Sequence, residues 1–496
     1  MGDCVIRTRP RHISESHNFS NHVNPPRESN CCEHVVAPHF DCPLCCLRAL
    51  LRSRMRRHAL PGEPQAATNR LRTPSHTISG LHKLPDYTIP MTFEEIAELE
   101  RRYLIPVYNR YPLAITRGKG VFVYDLEGRR YLDFITGIGV NALGHAHPRI
   151  VKVIREQAAR AIHLSNLYYN EYQGVLAKKL CELSGLQRVF FSNSGTEAIE
   201  GALKLARAAG HQRGGEAKSK VVAVEGSFHG RTFGALSVTG QQKYRDLFQP
   251  LLAGVTFVAL NDVAALRQAV DDSTCALVME PILGEGGIRE CSSEFLQEAR
   301  AATDRHRAVL IFDEIQCGLG RTGKMFAFQE SGVTPDIVVV AKPLAGGIPL
   351  GAFIAREELS AALPSGQHGT TFGGGPLACR VALEYFAIIE EEGLLQNAAR
   401  VGAYFNEQLK SVAEKSSLVR QVRGRGLMLA MELTIPARPL VEQALGEGVL
   451  FNSTHDTVLR FLPSFLIQEK HVDKGIRVLR KLLREAKRAA KSAAAS

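Results

Sequence analysis

The stretch Val309-Leu310-Ile311-Phe312-Asp313-Glu314-Ile315-Gln316 and the later one Ile337-Val338-Val339-Val340-Ala341-Lys342 decide the reading of this 496-residue chain. Each is a short apolar run containing a charged residue at its end, the pattern of a strand buried on both faces. A lysine closing such a strand loses hydration, which disfavours its charged form and leaves an amine able to attack an aldehyde. An aspartate at the end of a neighbouring strand is placed to keep a ring nitrogen protonated. Together the two suit pyridoxal phosphate, which needs a covalent anchor and an electrostatic partner for its ring. Either residue alone has a plainer reading: Lys342 leaning out of a strand end into water, and Asp313 capping the segment that follows.

Further strand-like runs fall at 189–192, 221–225, 255–259, 276–280 and 352–355, and helix-like segments at 196–209, 262–270 and 293–305 separate several of them. This alternation predicts an α/β fold, a mainly parallel seven-stranded sheet covered by helices on both faces. In such sheets ligands bind beyond the carboxyl ends of the strands, where Asp313 and Lys342 fall. The runs 121–125 and 130–134, joined through Glu127-Gly128, read as a hairpin, and Thr92-Phe93-Glu94-Glu95 reads as a reciprocal helix cap. The expected domain limits are a disordered extension over 1–88, an N-terminal segment over 89–150 that joins a small domain, a large cofactor-binding domain over 151–375, and a smaller α+β domain over 376–496.

Composition is that of an ordinary soluble enzyme, 45% hydrophobic and 22% charged. The net charge of +11 is concentrated near the two ends, around Arg48–Arg57 and along Lys474–Lys491, so it reads as solvated basic faces and not as a nucleic-acid site. No run reaches the roughly 20 apolar residues needed to cross a bilayer. Six of the 11 cysteines lie in the first 46 residues and the rest are scattered singly, which points to a reducing, cytoplasmic compartment. Cys42-Pro-Leu-Cys45 with His34 and His39 nearby could form a zinc knuckle, but no second pair stands at the usual spacing and no metal is expected. Residues 1–88 lack the apolar core of a secretory signal, and Asp3, Glu15, Glu28 and Glu33 argue against a mitochondrial presequence. The functional start is expected near Met91.

Four more blocks bear on chemistry. Ser192-Asn193-Ser194-Gly195-Thr196-Glu197 follows a strand and opens a helix, which makes either a phosphate site or a simple cap. Phe228-His229-Gly230-Arg231-Thr232 offers a ring to stack on a pyridine and an arginine to clamp a carboxylate; the plain alternative is a core Phe beside a surface Arg. Glu280-Pro281-Ile282-Leu283-Gly284-Glu285-Gly286-Gly287 puts one carboxylate at a strand end and another in a loop flanked by glycines. His368-Gly369-Thr370-Thr371-Phe372-Gly373-Gly374-Gly375 offers hydroxyls and free amides to an anion.

In order and spacing these blocks resemble the class III, subgroup II pyridoxal-phosphate aminotransferases of fold type I, a likeness that spans about 92–490. The resemblance implies that Gly195 and Thr196 bind the phosphate of pyridoxal 5'-phosphate, Phe228 stacks on its ring, Asp313 holds the pyridinium, Gln316 contacts the 3′ oxygen and Lys342 bonds to the aldehyde. It implies a homodimer with shared active sites, Thr371 reaching the phosphate in the partner subunit and Thr370 lying on the substrate side. Arg231 would take the distal carboxylate of glutamate, or the α-carboxylate of an acylated donor. Arg460 resembles the second carboxylate-binding arginine of the family, paired with Glu285. Two features depart from the pattern: Gly375 stands where many relatives have asparagine, and 1–88 have no counterpart. Ile138 is read as standing where ornithine-using members have tyrosine, and an apolar residue there suits an N-acylated substrate. The expected reaction moves an amino group from an ω-amino donor, N-acetylornithine, to 2-oxoglutarate. Ornithine, 4-aminobutyrate, N-succinyldiaminopimelate or carrier-linked lysine are alternative donors, racemisation or decarboxylation on the same cofactor is a rival chemistry, and a catalytically dead relative is the non-enzyme reading. Intact Lys342, Asp313 and Phe228 speak against the last, and paired Arg231 and Arg460 favour transamination.

Overall fold

The structure, a computed structural model, describes residues 91–495. The expectations for 1–88, including the Cys42/Cys45 knuckle, lie outside the described residues. The helix Phe93–Tyr103 is the first element of the described residues and has the reciprocal cap: Thr92 Oγ1 accepts from the Glu95 N–H and Glu95 accepts from the Thr92 N–H. Strands β1 (Ile115–Lys119), β2 (Phe122–Asp125) and β3 (Arg130–Asp133) then run antiparallel, β2 and β3 being the expected hairpin.

The main sheet contains β4 (Arg188–Ser192), β5 (Lys220–Val224), β6 (Val255–Val258) and β7 (Thr274–Met279). After the short ribbon β8 (Ile282–Leu283) and β9 (Arg289–Glu290), it is completed by β10 (Val309–Asp313), β11 (Ile337–Val340) and β12 (Gly351–Ala355). The order is β4-β12-β11-β10-β7-β5-β6, seven strands as expected. One direction is not obvious from the pattern: β12 runs antiparallel to both β11 and β4. The connection 341–350 is too short for the crossover that a parallel neighbour needs.

These strands are apolar on both faces because both faces are covered. Val221, Ala223, Ala276, Val278, Val309, Ile311, Ile337 and Val339 pack with the helix Gly195–Gly214, while Val222, Val224, Leu277, Met279, Leu310, Phe312, Val338 and Val340 enter the core on the other side. Small residues let that helix lie close to the sheet: a Cβ on Gly201 would stand 2.5 Å from the Phe353 ring, and one on Gly210 would stand 2.6 Å from Cys275.

Beyond the helices Pro376–Glu391 and Leu394–Ala413 come β13 (Val419–Arg425), β14 (Met428–Leu433), β15 (Val449–Leu450), β16 (Asn452–Thr454) and β17 (Val458–Phe461). Four of them form a sheet of order β13-β14-β17-β16, whereas β15 pairs in parallel with β3, so the N-terminal strands share a sheet with the C-terminal part. The helix Glu469–Ala495 ends the described chain. Among the described residues no helix is long and apolar enough to cross a membrane.

Candidate active site

A cavity of about 450 Å³ lies at the carboxyl ends of β10 and β11 and is lined by Gly195, Thr196, Phe228, Arg231, Glu285, Asp313, Gln316 and Lys342 together. Sequence-distant blocks meet there because the strands that precede them are neighbours in one sheet.

The cradle at one end is the start of the helix Gly195–Gly214. Ser194 caps it by accepting from the Glu197 N–H, and the Asn193 N–H and Nδ2 both donate to Glu197 Oε2 at 2.8 Å. Gly195 is pressed against Ile315, where a Cβ would come within 2.6 Å of the side chain. The first N–H groups of such a helix have no intrahelical acceptor and carry the positive end of its dipole, so they suit an anion. Thr196 Oγ1 lies 2.8 Å from Thr232 Oγ1, which ties the cradle to the Phe228–Thr232 segment.

Glu280 holds that segment from the other side, accepting from the Phe228 N–H at 2.9 Å and the Gly284 N–H at 2.8 Å. Burial, with Asp313 nearby, pushes the Glu280 carboxyl up to about 7. Asp313 itself is 3% exposed; its Oδ2 lies 2.8 Å from His229 Nδ1 and its Oδ1 accepts from the Ile315 N–H at 3.0 Å. His229 is buried too, and its Nε2 has no partner among the described residues. A carboxylate fixed in this way can present a constant acceptor to a protonated ring nitrogen. Lys342 keeps some surface facing the cavity, but protein surrounds it. Burial lowers its pKa, against the opposing pull of Glu285 and Asp313.

Arg460, 2% exposed as a side chain, does not itself line the cavity but is ion-paired through Nη1 with Glu285, which does. Its Nε and Nη2 donate to Asn452 Oδ1 at 3.0 and 2.7 Å, and Nη1 reaches Gln316 Oε1 at 3.4 Å. The ion pair with Arg460 holds the Glu285 carboxyl below its usual range despite burial. Arg231 is arranged differently. It is exposed to the cavity, lies 4.1 Å over the Tyr244 ring and 5.5 Å from the Phe228 ring centroid, and has no ion-pair partner among the described residues.

The structure places four expected residues outside this lining: Arg460, which meets it through Glu285, and Thr370, Thr371 and Ile138. Thr370 Oγ1 accepts from Asn193 Nδ2 at 3.2 Å and from the Gly373 N–H at 3.1 Å, next to the cradle, while Thr371 is exposed. Ile138 is 39% exposed, and the cavity wall at this point is Val140. His229 was quoted in the sequence without a role, and Glu280 was noted only as a carboxylate at a strand end. Nothing in one sequence tells that they meet Asp313 and the Phe228 backbone.

A helix-start cradle, an aromatic ring beside it, a buried aspartate with a fixed orientation and a desolvated lysine fit pyridoxal 5'-phosphate. The Aminotransferase class-III family profile matches residues 105–483. The acetylornithine aminotransferase of Methanocaldococcus jannaschii is 46% identical over 398 residues, 80% of this chain and 100% of that one. The enzyme of the same name from Aquifex aeolicus is 45% identical over 382 residues, 77% of this chain and 100% of its own length. Among solved structures, the ornithine aminotransferase of Toxoplasma gondii is similar with a TM-score of 0.78 at 32% identity, covering 80% of this chain and 96% of that one. The acetylornithine aminotransferase of Elizabethkingia anophelis gives 0.72 at 31% identity, covering 80% and 100%. Every residue that lines the cavity falls inside the matched span, and at this identity over this length the chain belongs to the class III family of pyridoxal-phosphate-dependent aminotransferases.

Proposed function

We propose that this aminotransferase takes the terminal amino group of N-acetylornithine and delivers it to 2-oxoglutarate, forming glutamate. The observation that carries the reading is the unequal state of its two arginines: Arg460 is neutralised by Glu285, whereas Arg231 is open. N-acetylornithine has one carboxylate and a neutral amide, so it needs one free arginine. 2-Oxoglutarate has two carboxylates and needs both. A Glu285 that swings away on its glycine-flanked loop supplies the second site only for the acceptor, and no buried arginine is left unpaired with the donor. Three of the four relatives described above are named acetylornithine aminotransferases, and the fourth is an ornithine aminotransferase.

Pyridoxal phosphate, when bound, supplies an aldehyde that takes up the amino group and a ring that accepts the electrons left on the adjacent carbon. The Gly195–Thr196 helix start would hold the phosphate, Phe228 would lie against the ring and Gln316 would donate to the 3′ oxygen. Asp313, oriented by His229, keeps a proton on the ring nitrogen. Lys342 Nζ, released from the aldehyde by the incoming amine and made less basic by burial, would take the proton from the amine-bearing carbon and hand it to the former aldehyde carbon within the same half, and the second half would run this transfer in reverse. Arg231 fixes the far carboxylate, so that this carbon stands near Lys342. Val140 gives the wall an apolar face suited to an acyl group.

The working unit we propose is a homodimer in which Thr371 of the partner subunit completes the phosphate site. Tyr103, Ile105, Tyr108, Leu167, Tyr169 and Phe372 present exposed apolar surface for such a contact. The large part over 151–375 would carry the cofactor, and 89–150 with 376–496 would act as the smaller part. A reducing cytoplasm suits the described cysteines, which are all unpaired.

Rapid mixing of the holoenzyme with single amines tests the donor. N-acetylornithine should bleach the cofactor's visible absorbance with a specificity about tenfold or more above ornithine, 4-aminobutyrate and N-succinyldiaminopimelate. A preference for free ornithine would refute the assignment.

A further inference from the structure

Arg321 is the largest fully buried side chain among the described residues, yet no carboxylate pairs with it. Its guanidinium donates only to carbonyls: Nη1 to Pro463 O and to Leu427 O at 3.3 Å, and Nη2 to Gly139 O at 3.5 Å. Its Cζ lies 4.7 Å over the Phe465 ring. Burial lowers its pKa to about 10. A charge held without a counter-ion is disfavoured unless something needs its geometry. Here the planar fork of donors reaches three separate segments at once.

Each segment bears on the substrate side of the cavity. Pro463 follows β17, the strand that carries Arg460, and Leu427 precedes β14, which pairs with that strand through Ala430 and Arg460. Gly139 ends a turn in which Thr136, Gly137, Ile138 and Gly139 all have left-handed φ values, 49°, 63°, 59° and 83°. Two β-branched residues in that region are strained and stay there only if held. Asp133 Oδ1 accepts from the Ile135 and Thr136 N–H groups at 2.7 and 2.9 Å, Thr136 Oγ1 donates to Leu462 O at 2.6 Å, and Arg321 holds the last carbonyl. The next residue is Val140 of the cavity wall. The backbone of Arg321 belongs to the loop that leaves β10 through Asp313 and Gln316.

We propose that Arg321 is a positioning residue that holds Val140 of the cavity wall, and Arg460 paired with Glu285 of that wall, in register with Asp313 and Gln316 on the cofactor side. The inference rests on the aminotransferase site described above and not on which amine is the donor. It separates substrate affinity from cofactor affinity, because the hydrogen bonds of Arg321 go to Leu427, Pro463 and Gly139 and none to the cradle at Gly195 and Thr196.

The test is titration of the holoenzyme with glutarate, an unreactive dicarboxylate, followed by its visible absorbance, together with kinetics and cofactor binding. In Arg321→Lys, which keeps the charge but loses the fork, the glutarate Kd and the KM for 2-oxoglutarate should both rise about tenfold or more, while the Kd of apoenzyme for pyridoxal phosphate changes less than about twofold. Thr136→Val, which removes the bond to Leu462, should show the same split at smaller amplitude. An unchanged glutarate Kd in Arg321→Lys, or a parallel loss of cofactor affinity, would overturn the proposal and leave Arg321 a packing residue. If Arg321→Lys does not fold, Thr136→Val decides: an unchanged glutarate Kd there overturns it equally.

Discussion

Lys342 and Asp313 end neighbouring strands of one sheet, and both are enclosed by protein. Desolvation makes the lysine a readier nucleophile, while Asp313, buried at the neighbouring strand end, is kept oriented by His229 and the Ile315 N–H. Lys342→Ala should abolish borohydride-fixed attachment of the cofactor and cut turnover by several orders of magnitude, measured by mass spectrometry and steady-state assay. A fixed adduct of unchanged yield would place the attachment on another lysine. Asp313→Asn should keep the attachment yet lose about a hundredfold or more in turnover. Both residues were legible in the sequence because each ends an apolar run, a local signal. The contact of His229 with Asp313 was not, nor was the clamp at Arg321, whose acceptors stand 106, 142 and 182 positions away along the chain. A basic residue in a glycine-rich loop gives no sign that distant carbonyls will enclose it.

At the scale of elements, the strands of the main sheet were readable because burial on both faces demands continuous apolar runs. The antiparallel sense of β12 depended on the length of a connection, and the left-handed turn Thr136–Gly139 depended on Asp133, Leu462 and Arg321 holding strain that the local sequence disfavours. That turn carries the chain from Ile138 to Val140, so the apolar residue facing the cavity lies two positions beyond the one the sequence suggested. Glu314, next to Asp313, belongs to another element: it accepts from the Ala327 and Phe328 N–H groups at 2.7 and 2.8 Å and fixes the turn Ala327–Glu330. Burial pushes its carboxyl up to about 8 from 4.5. The folded protein therefore binds a proton that the unfolded chain releases, and the stability gained below pH ~4.5 is lost as pH rises through about 8. Glu314→Gln, neutral at every pH, should flatten the fall in stability between pH 5 and 8 by an amount on the order of a few kcal/mol, read from denaturant melts at the two values. An equally steep fall in the variant would show that the proton is bound elsewhere.

Across the whole molecule, the Glu285–Arg460 ion pair joins parts far apart in sequence, for Glu285 lies in the ribbon after β7 whereas Arg460 comes from the C-terminal sheet. The family match begins at 105, and the M. jannaschii relative is covered completely by 80% of this chain. A chain lacking 1–88 should therefore keep its oligomeric state by sedimentation and its turnover within about twofold, as expected for residues outside the family match. A monomeric or inactive product would give that segment a role. The pairing of Glu285 with Arg460 was expected from family resemblance, and the structure adds that Arg460 also donates to Asn452 and reaches Gln316. The most direct measurement is thus the pair of single-turnover half-reactions in Glu285→Ala, one with N-acetylornithine and one with glutamate. The acetylornithine half should slow about tenfold or more while the glutamate half holds or quickens, because the freed Arg460 then favours a carboxylate over a neutral amide. Equal slowing of both halves would contradict the alternation of Arg460 between Glu285 and substrate, and would leave Glu285 a structural residue.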